Sequence, residues 1–122
     1  MTATTAVHIS EQLDPNDPRQ YYFMADDKLR HLHEWIAEYV EPCRIQSAKN
    51  DSISSYELKH LYERNGGTYI TNGVMKKAME MAGFQVYNRG KQNWNFNVGR
   101  KVFKQVDPVA AEKLRLQRRG YF

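Results

Sequence analysis

Three polar residues follow Thr71 at helical spacing and could contact a nucleic acid. Asn72, Lys76 and Lys77 fall on one side of a predicted helix, away from its apolar residues. Lysine neutralises phosphate, a helix N-terminus attracts it, and asparagine can pair with adenine. These residue types predict a helix face that enters a groove of nucleic acid. Glu80 lies on the same side and favours the alternative of an ordinary solvated face, because a carboxylate repels phosphate.

A second basic site is predicted at the turn 88–91, between two short apolar stretches. Arg89 and Lys91 at this turn can reach phosphates or the minor groove, although a plain solvent-exposed turn has the same composition. The asparagines of the strand that follows are expected to point outward, and Asn93 is predicted to belong to the binding surface. These asparagines are Asn93, Asn95 and Asn97.

Basic side chains recur beyond the turn, up to the end of the chain. They are Arg100, Lys101, Lys104, Lys113, Arg115, Arg118 and Arg119. Residues 43–122 hold fifteen basic and six acidic side chains, whereas residues 1–42 hold three and eight. Basic charge confined to one part of a chain is typical of nucleic-acid binders, and the added phosphate contacts predict salt-sensitive binding. Alternatively, this basic stretch docks on a partner protein or on a second copy of the chain, as a homodimer.

The residues needed for catalysis do not occur in a usable pattern. His31 and His33 are two apart on a predicted helix, so they point to different sides and cannot share a metal. Cys43 is the single cysteine, which excludes a disulfide within the chain and predicts a reducing compartment, the cytoplasm. No phosphate-binding glycine loop and no zinc-protease motif is present. We therefore expect a non-catalytic protein without metal or cofactor. No run of about 18 apolar residues exists, so no membrane span is expected.

Three helices must position the predicted surface. The first spans about 27–41, capped by Asp26 or Asp27 and stopped by Pro42. The second begins at a capping box of Ser54 with Glu57 and ends at the glycines 66–67. The third runs from the cap Thr71 to about residue 82, with Gly83 closing it. Its apolar side is predicted to hold Val74, Met75, Ala78, Met79, Met81 and Ala82.

A hairpin follows the third helix. Phe84, Val86, Trp94, Phe96 and Val98 alternate with polar residues, the pattern of half-buried strands. This alternation places Trp94 and Phe96 in the core and not against nucleic-acid bases. Ile45 and Ile53 can form a brief strand beside the hairpin.

The order of these elements predicts a mainly α fold with a small β-hairpin (α+β), namely a winged helix-turn-helix. Residues 1–25 are expected to form a partly ordered N-terminal arm, residues 26–105 the winged-helix domain, and residues 106–122 a basic C-terminal helix or tail.

The stretch 54–98 also carries a resemblance, in its segments 54–60, 69–73, 82–84 and 93–98. It resembles small proteins of bacteriophages and mobile elements. Its layout is similar to the winged-helix module at the end of phage and viral primase-helicases. The shared features are caps, a glycine stop and core aromatics, so the resemblance implies a fold more than an activity. No ATPase motif precedes the module, so a helicase is not implied. A small phage protein of this kind would regulate transcription or block a host defence complex, as anti-CRISPR proteins do.

These observations predict non-catalytic binding of nucleic acid, most readily duplex DNA. Asn72, Lys76 and Lys77 would sit at the groove, with Arg89 and Lys91 on the backbone. The alternative is a protein-interaction module that inhibits a host nucleic-acid-processing or defence complex. The acidic N-terminal third favours that alternative, because a plain DNA binder has little use for it.

Overall fold

The computed structural model describes residues 12–106, and the burial of side chains to residue 105. The first long helix, α1, spans Asp26–Trp35 and continues as a π-helical turn, Ile36–Val40, and a 3-10 turn, Glu41–Cys43. Its buried residues Leu32, Ile36 and Val40 face the core. Ala25 stands at the N-cap without a side-chain hydrogen bond, so the expected cap by Asp26 or Asp27 is wrong. Both acids lie in the first turn, where they still complement the helix dipole.

Helix α2 spans Ser55–Arg64 and begins as expected. Ser54 Oγ accepts from the Glu57 backbone N–H at 3.1 Å, and Glu57 Oε1 accepts from the Ser54 N–H at 3.2 Å. This reciprocal pair is the predicted capping box. The helix ends at Asn65, and Gly66 follows with a φ of 91°, a left-handed conformation that glycine adopts without strain.

Helix α3 spans Asn72–Met81, and its cap is also the predicted one. Thr71 Oγ1 accepts from the Val74 N–H at 3.3 Å. Ile70 and Met75, which flank the cap, are both buried. Met81 is 57% exposed, so its predicted place on the inner side of the helix is wrong: the helix ends there and the chain turns away at Gly83.

Two short strands follow α3 and pair antiparallel. β1 is Val86–Tyr87 and β2 is Asn95–Phe96, with Val86 opposite Phe96. The strands are shorter than the alternating pattern predicted, because the seven residues 88–94 form the connection.

The segment between α1 and α2 also pairs with β2 and its neighbours. Isolated bridges join Arg44 to Val98 and Ser54 to Asn95. The Ile45 N–H donates to Asn97 O, and the Phe96 N–H donates to Ile53 O, both at 2.9 Å. The predicted brief strand at Ile45 and Ile53 is wrong: the pairing consists of single bridges at their neighbours Arg44 and Ser54.

The core lies between the three helices and β2. Trp94 and Phe96 are buried in it, as their alternation predicted. A further helix, α4 (Val102–Val106), packs against the π-helical turn of α1. The predicted mainly helical α+β class is confirmed by these helices and the two-stranded antiparallel sheet. Among residues 12–106, no helix has the length and apolarity required to traverse a membrane.

Candidate functional site

The outer face of α3 is covered by the residues that precede α1. A 3-10 helix, Pro18–Phe23, begins after Asp17, whose carboxylate accepts from the Arg19 N–H at 2.9 Å. Tyr21 and Met24 pack against the core and hold this segment in place. Residues 14–17, which precede this 3-10 helix, run across the N-terminal turn of α3. We call residues 14–20 the cover.

Gly73 is a position at which the backbone of the cover lies very close to α3. Its backbone N–H donates to Pro15 O at 2.8 Å. A Cβ atom at Gly73 would lie 2.0 Å from Asp17 O, far inside van der Waals contact. The contact is to backbone, which cannot rotate away, so the approach depends on glycine at this position.

Lys76 is buried beneath the cover with 4% of its surface exposed. Its Nζ donates to Asn16 O at 2.8 Å and to Gln92 O at 2.9 Å, and lies 4.7 Å from the centre of the Trp94 ring. Burial lowers the pKa of Lys76, and the nearby carboxylates of Asp17 and Asp14 oppose that effect. The prediction that Lys76 faces outward is therefore wrong, because the cover occupies the space where solvent was expected.

Asn72 is buried in the same contact, with 5% of its surface exposed. Its Nδ2 lies 2.9 Å from Asn16 Oδ1, 2.9 Å from Asn93 Oδ1 and 3.2 Å from Gln92 O. Its Oδ1 is buried and has no hydrogen-bond partner among residues 12–106. The prediction of an exposed Asn72 is wrong, and Asn93 holds Asn72 instead of lying free on the surface.

Lys77 and Arg89 both form ion pairs with Glu80. Lys77 Nζ lies 2.8 Å from Glu80 Oε1, and Arg89 Nη1 contacts Glu80 Oε2. Hydrogen bonds from Lys77, and then from Arg89, lower the pKa of Glu80, which keeps its carboxylate charged. The helix face and the hairpin turn therefore lie on either side of Glu80, a carboxylate that offsets the charges of Lys77 and Arg89.

The turn itself has the expected form and presents Lys91. The Lys91 N–H donates to Asn88 O at 2.9 Å, and the Lys91 side chain is exposed. The Trp94 indole donates to Arg89 O at 3.0 Å, which fixes the turn on the core. Of the predicted groove and turn residues, Arg89 and Lys91 are the ones that solvent reaches freely.

The asparagines of the second strand bind the polypeptide backbone. Asn97 is buried; its Oδ1 accepts from the Gln85 N–H at 2.8 Å and its Nδ2 donates to Ile45 O at 3.1 Å. Asn95 Nδ2 donates to Ser52 O at 2.7 Å. The prediction that these side chains point outward fails for Asn97. Its amide satisfies backbone groups that such short strands leave unpaired.

Basic side chains at the C-terminal edge of the described fold are exposed: Arg100, Lys101 and Lys104. Arg100 Nη2 lies 3.0 Å from Glu57 Oε2. Residues 12–99 hold eleven basic and eleven acidic side chains, whereas residues 100–122 hold seven and two. The excess positive charge therefore begins at Arg100. The predicted tail residues Lys113, Arg115, Arg118 and Arg119 lie outside the described residues.

Little in the sequence predicted the cover. Asn16 and Gln92 are the partners that decide the positions of Asn72 and Lys76, and they lie 16 to 60 residues away along the chain. A possible signal was Gly73 itself, since glycine in the first turn of a helix costs stability unless close packing requires it.

The chemistry open to Cys43 is limited. Burial raises the pKa of its thiol, and Sγ donates to Gln105 Oε1 at 3.0 Å. A thiol that stays protonated is a poor nucleophile. In residues 12–106, no cluster of three or more histidine, cysteine, aspartate or glutamate side chains is arranged to hold a metal ion.

Comparison of the chain with protein-family models, curated proteins and solved structures gives no match.

Proposed function

We propose that this chain is a non-catalytic nucleic-acid-binding protein whose main phosphate contacts come from the basic stretch that begins at Arg100. The observation that carries the proposal is the distribution of charge. Residues 12–99 are balanced, and the whole excess of positive charge lies in residues 100–122. Lysine and arginine side chains that bind phosphates displace the counterions condensed on the nucleic acid. The stretch that carries the excess of these side chains is therefore the part of the chain that binds.

The fold under this proposal is of winged-helix type. Helix α1, the bridging segment 44–54, α2, α3 and then the hairpin follow one another in the order typical of that fold. The bridges from Arg44 and Ser54 to the β2 side support it further, because they place a third segment beside the hairpin.

The mode of binding differs from the one that the sequence suggested. With the cover in place, Asn72 and Lys76 cannot touch a ligand, and Glu80 offsets Lys77 and Arg89. Lys91 at the turn is the remaining exposed cation of that surface. Contacts from the basic stretch and the turn go to phosphates and carry no direct sequence information, so weak sequence preference follows.

The test compares two charge reversals of equal size. Lys101→Glu/Lys104→Glu should weaken binding to a fluorescent duplex DNA and flatten the dependence of affinity on salt. Each lost phosphate contact reduces the slope of log affinity against log salt by about 0.9. The control Lys28→Glu/Arg30→Glu changes two exposed cations on α1.

Anisotropy titrations at two salt concentrations give both quantities. Binding that is retained by the control and lost by Lys101→Glu/Lys104→Glu supports the proposal. Equal losses in the two variants would show a general effect of net charge and contradict a defined binding stretch. A second pair, Arg118→Glu/Arg119→Glu, extends the test to the tail.

A protein-interaction module is the second candidate. It is favoured by exposed aromatic surface: Tyr69 is 73% exposed, beside a cleft of about 370 Å³ that Phe23, Met24 and Ile70 also line. Exposed tyrosines are frequent anchors of protein interfaces. A pull-down that returns one stoichiometric protein, together with no binding of DNA at low salt, would decide for this candidate.

A further inference from the structure

The cover presents to α3 the same groups that a nucleic-acid backbone presents. Pro15 O accepts from the N-terminal amide of Gly73, and Asn16 O accepts from Lys76 Nζ. Asp14 and Asp17 add two carboxylates close to Lys76, of which Asp17 is also paired with Arg19 of the cover. Oxygen acceptors and negative charge at a helix N-terminus beside a lysine are the features of a bound phosphate chain.

The contact of residues 15–17 with α3 is polar and is not fully satisfied, whereas the 3-10 helix Pro18–Phe23 packs extensively on α3. The contact of residues 15–17 is made by backbone carbonyls, amides and one ammonium group. Asn72 Oδ1 is left without a hydrogen-bond partner among the described residues. A buried acceptor without a donor costs free energy, so this contact is weaker than an apolar one of the same size. The apolar anchors Tyr21 and Met24 lie beyond the cover, where they can stay packed as its hinge.

Removal of the cover would assemble a basic surface. Lys76 and Asn72 would become accessible on the same face as Lys77. Arg89 already lies beside that face, through its contact with Glu80. The released surface thus combines a helix N-terminus with three cations and the Glu80 carboxylate that pairs with two of them, which leaves Lys76 as the cation added for the phosphates of a duplex groove.

We infer that residues 14–20 are a removable cover that closes a second, latent nucleic-acid surface on α3. The inference shares its class of ligand with the proposed function and rests on it. The basic stretch binds phosphates in the closed state, and opening of the cover adds the α3 surface.

Gly73→Ala tests this directly. The new Cβ would meet Asp17 O at 2.0 Å and must push the cover away. Alanine has a higher helix propensity than glycine, so α3 itself is not weakened. Gly90→Ala is the matched control, because a Cβ there has no atom within 4 Å. Pro15→Gly is a second opening variant that introduces no clash and no charge, and acts through the greater freedom of the released cover.

Two measurements are needed. Limited trypsin cleavage after Arg19 reports whether the cover has opened, and anisotropy with duplex DNA reports affinity. Gly73→Ala should be cleaved faster than Gly90→Ala and should bind at least about fivefold more tightly, the lower end of the usual range for coupled sites. Pro15→Gly should also raise the cleavage rate and the affinity for DNA, by smaller amounts than Gly73→Ala. Gly73→Ala/Lys76→Met should lose the gain in affinity.

Several results would overturn the inference. The first two are faster cleavage without tighter binding and unchanged cleavage in both opening variants. The third is a gain in DNA affinity that survives Lys76→Met. The fourth is loss of the folded near-ultraviolet circular dichroism spectrum in both opening variants. Repeating the pair in an Arg118→Glu/Arg119→Glu background separates the two proposals. A gain that persists there belongs to α3, whether or not the tail contributes to binding.

Discussion

Two adjacent lysines, Lys76 and Lys77, have opposite environments. Lys76 is nearly fully buried and donates to two backbone carbonyls, whereas Lys77 lies at the edge of the helix and pairs with Glu80. Successive residues on a helix point about 100° apart, so a cover of limited width buries one and leaves the next at its edge. The structure therefore gives Lys76 a role in holding the cover.

The two lysines should differ in their contribution to stability. Lys76→Met would leave Asn16 O without its donor and Gln92 O with Asn72 Nδ2 alone, and should lower the free energy of unfolding by about 1–3 kcal/mol. Lys77→Met removes a partly exposed ion pair and should change it by less than about 1 kcal/mol. Urea denaturation of both variants measures the difference. An equal effect of the two substitutions would contradict a holding role for Lys76.

At the scale of elements, the helix ends follow from local sequence. The capping box of Ser54 with Glu57 satisfies two backbone N–H groups that the first turn leaves without partners. Thr71 does the same for α3 with one hydrogen bond. Caps of this kind act within three residues, which is why the sequence alone located them.

Loss of the α2 cap should be measurable. Ser54→Ala removes the acceptor for the Glu57 N–H and should reduce the free energy of unfolding by about 1 kcal/mol. Ser47→Ala, at an exposed loop position, is the matched control and should leave it within about 0.5 kcal/mol of the wild type. Chemical denaturation compares the two. Matching effects would mean that the capping box contributes nothing beyond an ordinary surface serine.

At the scale of the whole molecule, the contact of Tyr21 with His33 ties the segment before α1 to α1 itself. The Tyr21 hydroxyl and His33 Nε2 lie 2.8 Å apart. Burial lowers the pKa of His33 below its ordinary value of 6.5. In the folded state this histidine is therefore held neutral over a range of pH in which the unfolded chain already binds a proton.

This shift predicts a loss of stability in mild acid. The unfolded state binds more protons than the folded state below pH 6.5, so the stabilising contribution is present above that value and is lost as the pH falls through the folded pKa. Urea midpoints should thus be lower at about pH 5 than at about pH 7.5. His33→Gln should show a smaller difference between the two conditions. An unchanged difference in that variant would assign the effect to other groups.

The sequence by itself determined the elements of this protein. Periodicity, caps and glycine stops act over a few residues, so the helices, the turn at 88–91 and the burial of Trp94 and Phe96 could all be predicted. The strand expected at Ile45 and Ile53 is reduced to single bridges at their neighbours Arg44 and Ser54. The resemblance to phage winged-helix proteins remains a prediction.

Only the tertiary structure decided which polar residues reach solvent. Asn72 meets Asn16 across 56 positions of the chain, and Lys76 meets Asn16 across 60. A helical wheel separates polar from apolar faces, but it contains no information about a distant segment that covers the polar one. The cover binds Lys76 through a backbone carbonyl, which every sequence supplies, and Asn72 through the side-chain amide of Asn16. Apart from Gly73, no residue type therefore indicated that the predicted binding face is closed.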